Sequence, residues 1–193
     1  MAKKESTLSN MVIALVVITL GASAALGGVY ELTKEPIAAA KLEKKNNAIG
    51  KVIPVFNNIP TDEEYKVPSN GDTLYFYPGR MDGELVGTAV ETFTMMGFNG
   101  EIRIMVGLLP DGTINDVALL EHAETPGLGD KMDRRKSDWS MQFQGKNPKD
   151  FQIAVTKDGG DIDAITASTI SSRAFCDAVV RAYTTYLNSG NNE

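Results

Sequence analysis

The sequence predicts an α+β protein: a single N-terminal transmembrane helix, then one domain built from an antiparallel sheet plus helices. Three observations carry this. Residues 11–30 contain no charged side chain. Residues 72–121 hold β-branched and aromatic runs separated by turn residues such as Pro110-Asp111-Gly112. Near the C-terminus Phe175, Val179, Tyr183 and Leu187 recur at four-residue steps, with Val180 and Tyr186 beside them, so a closing helix has one apolar face.

The elements follow in order. Residues 1–10 are expected to form a cytoplasmic N-terminus, and residues 11–30, MVIALVVITLGASAALGGVY, the membrane helix. At a rise of about 1.5 Å per residue this run reaches roughly 30 Å, the thickness of a bilayer core. Ala22-Ser23-Ala24 resembles a signal-peptide cleavage site, but the apolar run is longer than a secretory one, which favours an uncleaved anchor. Gly21, Ala25 and Gly28 place small residues on one face, as helix contacts in membranes use; Gly and Ala merely filling a lone anchor is the plainer alternative. Lys3 and Lys4 precede the run, while Lys41, Lys44 and Lys45 lie beyond it. The bias, though small, places the N-terminus in the cytoplasm and the remainder outside. Residues 31–71 read as a stalk helix to about residue 47, opened or interrupted by Pro36, and then a connection containing Pro54, Pro60 and Pro68.

The domain is expected over 72–193. Strands are predicted at 73–77 and 84–94, a turn at Gly97-Phe98-Asn99-Gly100, and a hairpin over 101–121. FQIAV at 151–155 and residues 162–165 read as two more short strands around Gly159-Gly160. A helix over 170–188 closes the domain.

Composition narrows the chemistry. The chain has 193 residues, enough for one domain with a real core, and a net charge of −6. An acidic balance argues against nucleic acid, which needs a basic footprint. The lone cysteine, Cys176, excludes an internal disulfide framework and a cysteine-based metal cluster, and reads as a packed small residue. The lone histidine, His122, makes a His-rich metal site or a His-based triad improbable. Trp139 and Phe143 read as core, and Lys131 with Arg134-Arg135-Lys136 as a solvated face.

Two stretches stand out as candidate binding elements. Residues 163–172, Asp163-Ala164-Ile165-Thr166-Ala167-Ser168-Thr169-Ile170-Ser171-Ser172, sit where the last helix begins. A helix N-terminus has unpaired N–H groups and the positive dipole end, which suits an anion, phosphate above all. Arg173 adds a guanidinium one turn in. Plain N-capping by Ser or Thr is the simpler account of the same residues. The second stretch runs Glu121-His122-Ala123-Glu124-Thr125-Pro126-Gly127-Leu128-Gly129-Asp130-Lys131. Pro126, Gly127 and Gly129 force a tight loop whose backbone can approach a flat ligand. Glu124 and Thr125 would supply polar contacts and Leu128 an apolar one; a solvent-exposed connector fits the composition too.

Asp163-x-x-Thr166-Ala167-Ser168-Thr169 resembles the flavinylation motif of FMN-binding domains, Asp-x-x-(Ser/Thr)-Gly-Ala-(Thr/Ser). Asp163 takes the leading Asp, Thr166 the Ser/Thr and Thr169 the acceptor. Ala167 replaces a Gly, which costs backbone freedom if a positive φ is needed, and Ser168 replaces an Ala, which adds a second hydroxyl. Together with Glu-Thr-Pro-Gly-Leu-Gly at 124–129, Gly-Phe-Asn-Gly at 97–100 and Gln144-Gly145-Lys146, the stretch from about 85 to 185 resembles the FMN-binding domain shared by the G subunit of the Rnf complex and the C subunit of the sodium-pumping NADH:quinone oxidoreductase. The short link between anchor and domain favours the Rnf family.

The resemblance implies FMN held covalently on Thr169 through a phosphoester that a flavin transferase installs. It implies a cofactor-binding set of Asp163, Thr166, Ser168, Thr169, Ser171, Ser172 and Arg173 on one side, with Glu124, Thr125, Gly127, Leu128 and Gly129 on the other. The implied role is an electron carrier in a redox-driven ion translocase, a ferredoxin:NAD oxidoreductase. The other Rnf subunits are then its partners, the location is the inner membrane, and the FMN domain is periplasmic. No residue is expected to act as acid, base or nucleophile in turnover, and no metal is expected. The equivalent quinone-reductase subunit and a non-enzymatic membrane-anchored FMN-binding or sensor domain are the alternatives.

Overall fold

The structure is a computed structural model describing residues 7–190, so the expected role of Lys3 and Lys4 lies outside the described residues. The chain divides into two compact units, Met1–Glu43 and Lys44–Glu193. Helix α1, Leu8–Val52, enters both. In the first unit its apolar side chains are exposed all round, Leu15, Ile18 and Leu20 among them. An all-round apolar helix without a protein partner suits an apolar solvent. Among the described residues it is the one helix long and apolar enough to cross a membrane. Its hydroxyls are satisfied internally: Thr19 Oγ1 donates to the Leu15 carbonyl at 2.9 Å, and Thr33 Oγ1 to the Val29 carbonyl at 2.8 Å. Pro36 lies inside the helix rather than ending it. The cost is the hydrogen bond that its missing N–H would have donated.

The second unit is built on a five-stranded antiparallel meander in the order β1 (Tyr65–Ser69), β2 (Asp72–Met81), β3 (Glu84–Gly97), β4 (Gly100–Leu108), β5 (Ile114–His122). Alternation of side chains gives the sheet two apolar faces. Leu74, Phe76, Val90, Ile102, Ile104 and Val106 meet Phe175, Ala178, Val179 and Ala182 of helix α2, Thr169–Ser189. Tyr77, Ala89 and Met105 meet Ala48, Ile49 and Val52, the last turns of α1. This second contact is close: a Cβ on Gly107 would lie 1.8 Å from the Val52 carbonyl oxygen. Three short 3₁₀ turns, at Gly129–Met132, Trp139–Phe143 and Thr156–Asp158, lie in the connection from β5 to α2.

Three expectations change. The connection before residue 72 contains a strand, β1, which takes the sheet edge where Pro68 withholds no needed donor. Tyr65 anchors it by stacking on Phe76 at 5.1 Å. Residues 151–155 and 162–165 are not strands; they share one parallel bridge, Val155 to Ile162. Their apolar residues read as strand because Ile153, Val155, Ile162 and Ile165 all enter the core without a ladder. On α2, Val180 and Leu187 are exposed, and the buried face runs through Phe175, Ala178, Val179, Ala182 and Tyr183. Trp139 and Phe143 do belong to the core, in an aromatic trio with Phe175 at centroid separations of 5.2–5.5 Å.

Candidate functional site

α2 starts at the end of a tight turn. The Ser168 N–H donates to the Ile165 carbonyl at 2.9 Å, and Ala167 adopts φ 61°, a left-handed conformation that an L side chain resists. Buried Ser172 holds the turn from within. Its Oγ accepts the Ile165 N–H at 2.9 Å and donates to the Ser168 carbonyl at 3.0 Å.

Ser168, at the N-cap position, makes no side-chain cap. Its Oγ lies 2.8 Å from Ser171 Oγ instead. Simple capping therefore does not account for the cluster. Among the described residues the N–H groups of Thr169, Ile170 and Ser171 find no acceptor, so the helix presents open donors and its positive dipole end.

The loop after β5 faces this helix start. Glu124 is buried and bridges two elements. Oε1 accepts the Asn99 N–H at 3.0 Å, and Oε2 accepts from Ser171 Oγ at 2.5 Å. Glycine is required where the backbone crowds this carboxylate. A Cβ on Gly129 would sit 2.6 Å from Glu124 Oε2 and from Ser171 Oγ; one on Gly97 would sit 2.8 Å from Glu124 Oε1. His122 Nδ1 accepts the Glu124 N–H at 3.1 Å, a structural task.

Between the two stretches lies a cavity of about 330 Å³ lined by Phe98, Glu124, Thr125, Leu128, Gly129, Ala167, Ser168, Thr169, Ile170 and Ser171. That is the size of a small-molecule site. Its floor is polar, with buried Glu124, Ser168 and Ser171. Its rim is apolar and open, with Phe98, Leu128 and Ile170 exposed. Thr169 is half-buried at the wall.

The structure thus brings Glu124, Thr125, Leu128, Gly129, Ser168, Thr169 and Ser171 around one space. Asp163, Thr166, Gly127, Ser172 and Arg173 do not line it. Thr166 and Gly127 are exposed turn residues, Gly127 with φ 79°. Asp163 is bound through its backbone: its carbonyl accepts from Trp139 Nε1 at 2.5 Å, and its N–H donates to Gln142 Oε1 at 2.8 Å. Arg173 grips Asp158 with two bonds of 2.6 and 2.7 Å, and that contact holds the Asp158 carboxyl below its usual range. Arg134 and Arg135 pair with Asp116 and Asp133. Among the described residues no cation lines the cavity, so helix N–H groups are its positive feature. Sequence reasoning passes over Phe98, Asn99 and Ile170; the exposed aromatic in a Gly-Phe-Asn-Gly turn is the available signal.

Fold and cavity define a class, a small-molecule-binding α+β domain following a helix of membrane-spanning length. Residues 97–184 match the FMN-binding domain family, which spans the hairpin tip, the cavity and most of α2. Over 181 residues the chain is 39% identical to the G subunit of the ion-translocating oxidoreductase complex of Erwinia tasmaniensis, covering 89% of this chain and 84% of that one. Over 174 residues it is 36% identical to the protein of the same name from Haemophilus influenzae, covering 84% and 82%. Over 189 residues it is 34% identical to that of Aliivibrio fischeri, covering 92% and 89%. The chain belongs to the family of G subunits of ion-translocating oxidoreductase complexes, and its globular unit contains an FMN-binding domain.

Proposed function

We propose that this chain is the flavin-carrying electron-transfer subunit of an Rnf-type ion-translocating oxidoreductase complex, anchored by α1 and bearing FMN in ester linkage to Thr169. The observation that supports the tether is the uncapped start of α2. Three N–H groups stand open there, at the wall where Thr169 lies half-buried. When bound, the flavin supplies reversible electron transfer. The chain's residues hold and orient it.

Thr169 Oγ1 would hold the flavin phosphate as an ester, the hydroxyl giving up its proton and the phosphorus its leaving group in the transferase reaction, so that the chain gains the mass of FMN less one water. The N–H groups at the helix start balance the phosphate charge, a part that Arg173, paired with Asp158, leaves to them. Ser168 is a poor competitor as acceptor because it is buried and its hydroxyl is engaged by Ser171. Ser168 and Ser171 build the floor. Thr125 offers a polar contact at the wall, and Leu128 an apolar one. Glu124 acts through Ser171 and Asn99, since each carboxylate oxygen already accepts a hydrogen bond.

Tethering suits a carrier outside the cytoplasm, where a dissociated cofactor is lost. We place the N-terminus in the cytoplasm, the anchor in the inner membrane and the domain in the periplasm. A flavin transferase installs the group, and the other subunits of the complex are the chain's partners. The test is a denaturing gel of membrane-extracted chain made with and without the transferase. Flavin fluorescence migrating with the chain only when the transferase is present is expected. Flavin that is released by denaturation would reduce the role to noncovalent FMN binding, and a chain without flavin would overturn the reading.

A further inference from the structure

The β3–β4 hairpin tip spends an unusual amount of structure on an exposed aromatic. Phe98 is 63% exposed, yet its surroundings are fixed. The pairs Thr94–Ile102 and Gly97–Gly100 leave two residues of β3, Met95 and Met96, opposite Glu101 alone, which is a β-bulge that bends the tip. Gly97 has no room for a side chain: a Cβ there would lie 2.3 Å from the Gly100 carbonyl oxygen. Asn99 then latches the tip to the neighbouring loop. Its N–H donates to Glu124 Oε1 at 3.0 Å, and its Nδ2 donates to the Ala123 carbonyl at 2.9 Å and to Thr125 Oγ1 at 3.4 Å.

A free loop would fold an exposed phenylalanine onto the nearest apolar surface, because burial of such a ring is favourable. This tip holds Phe98 out over the cavity, which it lines together with Leu128 and Ile170. Rigid presentation of an uncovered apolar group is preorganisation for a ligand. The occupant is indicated by what surrounds it. The mouth has an open apolar rim, the floor is polar, Thr169 stands at the wall, and the match to FMN-binding domains begins at Gly97, on this tip.

Resting on the tether at Thr169, we propose that Phe98 is the side chain that covers the planar ring of the bound flavin, with Leu128 and Ile170 completing the apolar contact. Asn99 and Glu124 are positioning residues that set the height of Phe98 above the cavity. The Glu124 carboxylate links both ends of the site, since its second oxygen reaches Ser171 beside the attachment residue.

The test uses the full chain co-expressed with a flavin transferase and extracted from membranes, as wild type, Phe98→Ala, Phe98→Tyr and Glu124→Ala. Intact mass reads loading; flavin emission and its quenching by iodide read how far the ring is covered. We expect Phe98→Ala to load, and its emission and iodide access to rise several-fold over wild type. Phe98→Tyr should stay at the wild-type level, and Glu124→Ala should move toward Phe98→Ala. Loss of loading in a folded Phe98→Ala chain while Phe98→Tyr loads would also support the contact, with ring docking preceding bond formation. A loaded Phe98→Ala chain with unchanged emission and iodide access overturns this inference alone. A wild-type chain that forms no adduct overturns the tether and this inference together.

Discussion

Two buried glutamates serve different parts of the same domain. Glu91, on β3, sits in the face covered by the last turns of α1 and is ringed by charge. Lys45 Nζ is 2.9 Å away and Arg103 Nη1 3.3 Å, and the Tyr77 hydroxyl donates at 3.2 Å. Glu124 is as deeply buried but meets only neutral donors, a backbone N–H and a serine hydroxyl, at the edge of an open cavity. A carboxylate matched by counter-ions is a closed contact that fixes elements together. One satisfied by dipoles leaves the space beside it free of competing cations. The first is scaffold and the second is part of a site, although exposure alone does not separate them.

Each region also has a glycine pressed against its neighbour, and this gives the largest expected difference. Gly107→Ala drives a Cβ into the Val52 backbone, which no rotamer change relieves, and should cost about 3 kcal/mol or prevent folding. A thermal melt of the full chain measures it. Gly129→Ala meets side-chain atoms of Glu124 and Ser171 rather than backbone. Its stability cost should be smaller, about 1–2 kcal/mol, while flavin loading by intact mass falls sharply. Equal losses of stability with loading kept in the folded Gly129→Ala chain would erase the distinction.

Neutralising the two carboxylates sharpens the comparison. Glu91→Gln leaves Lys45 and Arg103 without their shared partner. Their side chains are about a third exposed, 30% and 32%, so solvent and salt take part of the effect. The expected loss is about 1–3 kcal/mol, shrinking as ionic strength rises. Glu124→Gln keeps an acceptor toward Asn99 and should cost about 1 kcal/mol or less, independent of salt. Denaturant melts at low and high salt check both. The smallest effect is a gain. Ala167→Gly relaxes the left-handed turn before α2 and should stabilise by about 1 kcal/mol without altering loading.

That last residue shows what a sequence can carry. The motif has Gly where this chain has Ala167, which left open whether a positive φ is needed there; the turn has one, at 61°. The α+β order, the long apolar helix and strands β2–β5 were likewise legible, because side-chain periodicity and Pro/Gly/Asn turns are local signals. Seven of the proposed binding positions do line one cavity, since the two motifs lie at the end of β5 and the start of α2. The remainder depended on contacts distant in sequence. Arg173 reads as a free guanidinium one turn into α2, and its pairing with Asp158, fifteen positions earlier, has no local signal. β1 was hidden by its Pro68 and is an edge strand only because β2 pairs with it. Phe98 read as part of a turn, and only its latch through Asn99 to Glu124 shows that the turn is held open over the cavity.

The most direct test of the account is the intact mass of the membrane-extracted chain, made with a flavin transferase, beside Thr169→Ala and Ser168→Ala. Wild type and Ser168→Ala are expected to gain the mass of FMN less one water, and Thr169→Ala to gain none. An adduct that survives in Thr169→Ala, or its absence from wild type, would contradict it.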